Sequence, residues 1–131
     1  MSFLWLWAPV VVQMALIFGA SSLSDPGPLP AQVSDKTAHF AAYAVLGLLV
    51  IRALAGGRAE GVTWKRALLA VVLTALYGAS DEFHQRFTPG RTPDLLDLRA
   101  DAFGACVGVA VGYVARLYRR IWPRVRSAPP E

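Results

Sequence analysis

Charge is scarce in this chain: 17% of its residues are Asp, Glu, Lys or Arg, against 55% hydrophobic. A water-soluble domain of 131 residues needs a polar surface that this composition does not supply. Cysteine is nearly absent. Cys106 stands alone, so no intramolecular disulfide can form, and it is expected as a small buried packing residue. Neither a paired CxxC nor an HExxH motif occurs, so no short motif announces a metal. Short period-two alternation is missing as well, which argues against a transmembrane barrel. No internal repeat stands out.

What remains is apolar and long. The mean hydropathy is +0.42. Four stretches approach the roughly 20 residues that cross a bilayer. They predict helices over 3–20, 37–54, 64–83 and 95–118, with 119–131 as a cytoplasmic tail. Only helices and closed barrels satisfy their backbone in lipid. The expectation is an all-α membrane protein: one four-helix transmembrane bundle over 1–131, both termini cytoplasmic. The first stretch also resembles a signal peptide, with Gly19-Ala20-Ser21-Ser22 as a cleavage region. It lacks a basic n-region and its apolar run is long, which favours a retained helix. Residues 24–30 and 88–93 are rich in proline and glycine and read as loops, while 55–61 reads as a short turn. Ser34 or Asp35 is a good N-cap for the second helix and Asp94 for the fourth. Pro123, just after Trp122, suggests an interfacial turn.

The net charge of +4 reports topology and does not call for a nucleic-acid partner. Nine basic residues, Arg52, Arg58, Lys65, Arg66, Arg116, Arg119, Arg120, Arg124 and Arg126, fall on one side of a four-span bundle. Four, Lys36, Arg86, Arg91 and Arg99, fall on the other, which makes the first side cytoplasmic. Trp5, Trp7, Trp64 and Trp122 all fall near those inner ends, as an interfacial belt does. Seven of the nine acidic residues and both histidines lie on the outer side.

Those outer polar residues recur with helical spacing. Asp35, His39 and Tyr43 share one face of the second helix, and Tyr77, Asp81, His84 and Gln85 share one face of the third. Glu82 points elsewhere on the wheel. Asp97 and Asp101 descend the fourth helix, and Arg91 sits in the loop before it. Asp101 is the deeper of the two and needs a partner: Arg91, Lys36, a histidine, a water or an ion. Ionisable groups at the edge of hydrocarbon mark function. The candidate polar pocket is therefore Asp35, Lys36, His39, Tyr43, Asp81, Glu82, His84, Gln85, Arg91, Asp97 and Asp101. A divalent metal is one occupant, with His39, His84 and Asp81 as candidate ligands. A phosphate-bearing headgroup held by Arg91, Lys36 and Arg86 is another. Ser80 and Thr88 lie near His84, yet neither sits in a nucleophile elbow. Gly104, Gly108 and Gly112 form a small-residue stripe suited to close helix packing. Structural capping and polar clasping compete with each functional reading.

The same residues carry a resemblance. Asp35-Lys36, His39-Phe40 and Tyr43 look like the DK–HF–Y motif of VanZ-like membrane proteins, and residues 81–91 look like that family's DE–HQ–F–PGR signature. Asp97, Asp101 and Gly104 resemble the positions that follow it, although Asp101 stands where that pattern often has asparagine. The resemblance implies a small multi-pass protein of the cell envelope, in a family named for low-level resistance to the glycopeptide teicoplanin. The expected role is an extracytoplasmic-facing pocket in the cell membrane that binds a lipid or a lipid-linked, cell-wall-related ligand. An intramembrane hydrolase or transferase acting on lipid phosphate is the enzymatic alternative. A transporter or flippase is the third, and with four helices it requires a homo-oligomer.

Overall fold

The computed structural model describes residues 2–24 and 34–126, with side chains through Arg119. Its elements are α1 (Phe3–Ser21), α2 (Asp35–Leu54), a 3₁₀ turn (Ala59–Gly61), α3 (Trp64–Gln85) and α4 (Leu95–Arg126), with no strand among the described residues. Three segments are long and apolar enough to cross a membrane: α1, α2 and Leu95–Arg119 of α4. α3 has the length, at 22 residues, but carries Lys65 and Arg66 at its start and Asp81, Glu82, His84 and Gln85 at its end.

Three of the helices begin on a side chain that accepts from an otherwise orphaned backbone amide. Ser34 Oγ accepts from Thr37 N at 3.2 Å, Thr63 Oγ1 from Arg66 N at 3.3 Å, and Asp94 Oδ1 from Leu96 N at 2.8 Å. Because backbone helicity starts at the cap and not at the first apolar residue, α2 begins at Asp35, ahead of the expected 37. For the same reason α3 runs on through its polar end to Gln85, past 83. α4 departs most. It continues past 118 to Arg126, through Pro123 where a turn is expected, so 119–126 is helical. Proline there forgoes one backbone hydrogen bond without stopping the helix. Residues 25–33, which include most of the expected outer loop, and residues 127–131 of the expected tail lie outside the described residues, as does the side chain of Trp122.

α2 and α4 form the central pair. Their backbones nearly touch: a Cβ on Gly104 would collide with Phe40 O and one on Gly108 with Ala44 O. Gly47 answers from α2, where a Cβ would stand 2.8 Å from Ala105 O. α3 packs on this pair through Ala70, Thr74 and Gly78. α1 closes the bundle as an integral element. Val10 and Ile17 enter the core, Gln13 Nε2 donates to Ala42 O at 3.1 Å, and Tyr77 OH donates to Met14 O at 2.7 Å. Gly56 and Gly57 turn the chain between α2 and α3 with positive φ of 67° and 71°, a region that favours glycine.

The outside of the bundle is apolar. Leu4, Leu16, Leu68, Leu76, Phe103 and Val114 are all exposed. Such a continuous apolar surface is what a bilayer covers. Cys106 belongs to it: expected in the core, it is exposed, because it sits beside the glycine stripe and not on it.

Candidate functional site

The polar residues meet at the end of the bundle where α3 stops and α4 starts. Asp101 lies deepest, with no exposed surface, and its Oδ1 is 2.9 Å from His39 Nδ1 on α2. With Asp101 ionised the carboxylate can only accept, so Nδ1 is then the donor and Asp101 orients the imidazole. Oδ2 of Asp101 finds no partner and points at α3, where a Cβ on Gly78 would stand 3.1 Å away. Above this pair, Lys36 Nζ donates to Asp94 Oδ2 at 2.8 Å and to Asp97 Oδ1 at 2.9 Å. The hydrogen bond from the Lys36 ammonium, supported by the Leu96 amide, holds the Asp94 carboxyl below the usual carboxylate range. Lys36 and Asp94 are exposed enough that this bridge adds little stability and serves mainly to tie α2 to the start of α4.

α3 contributes two buried acids on one face. Asp81 Oδ2 accepts from Ser21 Oγ on α1 at 2.8 Å and lies 3.4 Å from Gln85 Nε2. Glu82, expected to point away, turns inward instead: Oε2 accepts from Asp94 N at 3.0 Å and Oε1 lies 3.4 Å from Gln85 Nε2. The buried face of α3 runs through Thr74, Gly78, Asp81, Glu82 and Gln85. His84 leaves the cluster. Its Nε2 is 3.1 Å from Ser22 Oγ, and its ring stacks on Phe18 of α1 at 4.4 Å.

A cavity of about 170 Å³ opens among α1, α2 and α3, lined by Ser21, Asp35, His39, Tyr43, Asp81, Gln85 and Arg91 together with small apolar residues. Asp81 Oδ1 and the Tyr43 hydroxyl are both buried and lie near each other without making a well-formed hydrogen bond. Arg91 does not pair with the acids. Its Nε donates to Leu23 O at 3.2 Å and its Nη2 to Ala20 O at 3.4 Å, so it caps α1 from the α3–α4 loop.

The VanZ/LLP1 family model matches residues 5–116. The chain belongs to the VanZ/LLP1 family. No curated protein and no solved structure matches it. In this VanZ/LLP1 protein the matched segment holds all four helices' contributions to the polar cluster, from Ser21 to Asp101. Two groupings within it have ligand atoms lying within 4.8 Å of one another: His39, Glu82 and Asp101, and Asp35, His39 and Asp97. His39 is common to both, whereas His84 and Asp81, the other expected metal ligands, fall in neither.

Several residues of the cluster are not evident from sequence. Ser21 and Ser22 are unremarkable at the end of an apolar run, yet they complete Asp81 and His84. Gly78 makes room for the Asp101 carboxylate and the Tyr43 ring, whose Cε1 would stand 3.2 Å from a Cβ there. The signal for it exists, since Ala70, Thr74 and Gly78 repeat every four residues as Gly104, Gly108 and Gly112 do. Gly78→Ala should therefore destabilise by about 1–3 kcal/mol, the usual range for overpacking. Thermal unfolding in mild detergent checks this; a midpoint at or above wild type would show that α3 stands clear of Asp101.

Proposed function

We propose that this VanZ/LLP1 protein spans the cytoplasmic membrane four times with both termini inside. Its polar cavity then faces outward and binds a lipid or cell-wall-related ligand. The orientation rests on the basic residues gathered at the opposite end of the bundle. One observation carries the binding reading: Asp81, whose buried Oδ1 makes no well-formed hydrogen bond although the Tyr43 hydroxyl lies nearby, lines a cavity large enough for a small polar group. An orphaned buried carboxylate oxygen is costly unless a donor arrives. Asp35, His39 and Gln85 on the same walls favour a ligand rich in N–H or O–H donors, such as an amine headgroup or a sugar. The apolar neighbours Ile17, Ala38 and Ala42 suit a ligand with an acyl or prenyl chain.

The test is retention of membrane components by the purified full chain. Detergent-extracted wild type and Asp81→Asn are each exposed to a total lipid extract containing lipid-linked wall precursors, and bound species are identified by mass spectrometry. Wild type should retain an amine- or sugar-bearing lipid, and loss of the charged acceptor should cut retention about tenfold or more. Identical retention by the two proteins would sink the reading. In cells, teicoplanin susceptibility changed by wild type and restored by Asp81→Asn would tie the site to the phenotype for which the family is named.

The two carboxylate–histidine groupings favour a second reading, metal-assisted hydrolysis or transfer at a lipid headgroup. One imidazole with two carboxylates is a donor set that suits zinc, iron or manganese. Elemental analysis of the purified protein and turnover of labelled envelope lipids decide it. Absence of a stoichiometric metal together with absence of turnover removes it.

A further inference from the structure

The end of the bundle opposite Asp81 holds a second cavity, of about 260 Å³, between the last turns of α2, the α2–α3 connection and α4. Four arginines line it: Arg52, Arg58, Arg116 and Arg119. Among the described residues no carboxylate forms an ion pair with them: the ion pairs all lie at the other end, and Glu60, which lines a neighbouring cavity together with Arg58, is not within ion-pairing distance of it. Arg52 Nη1 and Arg116 Nε are buried and lack any hydrogen-bond partner. Neither nitrogen is used to cap a helix end, since neither donates to any carbonyl. The Arg116 guanidinium is held over the Tyr113 ring at 5.6 Å, which orients it without satisfying it.

Buried cationic donors without an acceptor are expensive, and a convergent set of arginines is the usual means of holding a phosphate through forked hydrogen bonds. The remaining walls are apolar: Leu48, Ile51 and Val62. We infer that this cavity binds a phosphate ester and that its natural occupant is the headgroup of an anionic membrane lipid, with the apolar wall receiving the glycerol and upper acyl chain. Basic pockets between helices at a membrane face take such headgroups. The site is independent of the Asp81 cavity and would stand if that reading failed.

The experiment uses the full chain in mild detergent, with thermal stabilisation and native mass spectrometry as readouts. The probes are phosphatidylglycerol, phosphatidylcholine and inorganic phosphate. Phosphatidylglycerol should bind and raise the midpoint, and Arg116→Gln should weaken it about tenfold or more. Arg58→Gln, at an exposed position that does not endanger folding, should weaken it in the same direction. Lys65→Gln removes a charge from the same end of the bundle outside the cavity, and it should leave binding unchanged. Equal loss in Lys65→Gln and Arg116→Gln would show diffuse attraction and overturn the site. Equal binding of phosphatidylcholine and phosphatidylglycerol, or binding unaffected by both arginine variants, would also overturn it. Inorganic phosphate binding as tightly as the lipid would overturn the lipid as occupant.

Discussion

Gly108→Leu should unfold the bundle or leave it too unstable to purify, and Gly108→Ala should already be severely damaging. The reason is where the new atoms would go. At Gly108 a Cβ would run into the Ala44 carbonyl of α2, with Ala44 Cα itself only 3.0 Å away. Neither can yield, because both belong to the backbone of a helix in mid-span. The helices have to separate, and Gly104 against Phe40 O and Gly47 against Ala105 O would then lose their contacts together. In lipid, helix association depends on close packing because no hydrophobic drive holds helices together. Overpacking commonly costs about 1–3 kcal/mol and occasionally more, and a backbone obstacle on both sides of one interface places Gly108 at or beyond the upper end.

Two other glycines calibrate this expectation. A Cβ on Gly112 would meet only the tips of Ile51 and Leu48, at 2.8 Å and 3.2 Å, and side-chain ends can move. Gly19 has nothing within 4 Å, so alanine there should be neutral or slightly stabilising. Thermal midpoints should fall in the order Gly19→Ala, Gly112→Ala, Gly108→Ala. A Gly108→Ala protein as stable as Gly19→Ala would mean that α2 and α4 do not approach as closely as described.

How far these features could be read from sequence differs by element, for physical reasons. The glycine stripe on α4 was legible because small residues at four-residue spacing have one geometric consequence. The pairing of His39 with Asp101 was legible only as a need, since depth identifies Asp101 as wanting a partner while several donors qualify. The α3 face was harder. Starting from Tyr77 places Asp81, His84 and Gln85 together, and treating Glu82 as solvated then looks natural. The wheel is actually centred on Gly78, a residue with no side chain to advertise the buried face, so Glu82 faces in and His84 turns to α1. Arg91 carries a charge, and charge suggests the acids. It donates instead to Ala20 O in the last turn of α1 and to Leu23 O just beyond it, a contact between segments distant in sequence that no periodicity encodes. Helix ends erred in one direction, toward too short, because hydropathy reports the hydrocarbon slab while hydrogen bonding sets the helix. Ser34 and Gln85 lie beyond the apolar runs they delimit.

His39→Ala should be the most destabilising substitution in the polar cluster. Asp101 is completely buried, and His39 Nδ1 is its hydrogen-bond partner. Removing the imidazole leaves a buried carboxylate among Asp81, Glu82 and Asp97, all buried as well. Breaking a fully buried pair from one side typically costs about 3–5 kcal/mol, and with His39 itself partly exposed the loss falls toward the lower end. The test that separates this from loss of packing is a double-mutant cycle. Asp101→Leu removes the charge itself, so His39→Ala in that background should cost much less than in wild type, giving a coupling of about 0.5–3 kcal/mol. Asp101→Asn, which keeps an acceptor for His39 while discarding the charge, should fall between the two. Additive losses would show that His39 and Asp101 contribute separately. In that case the imidazole is free to serve a ligand on its own.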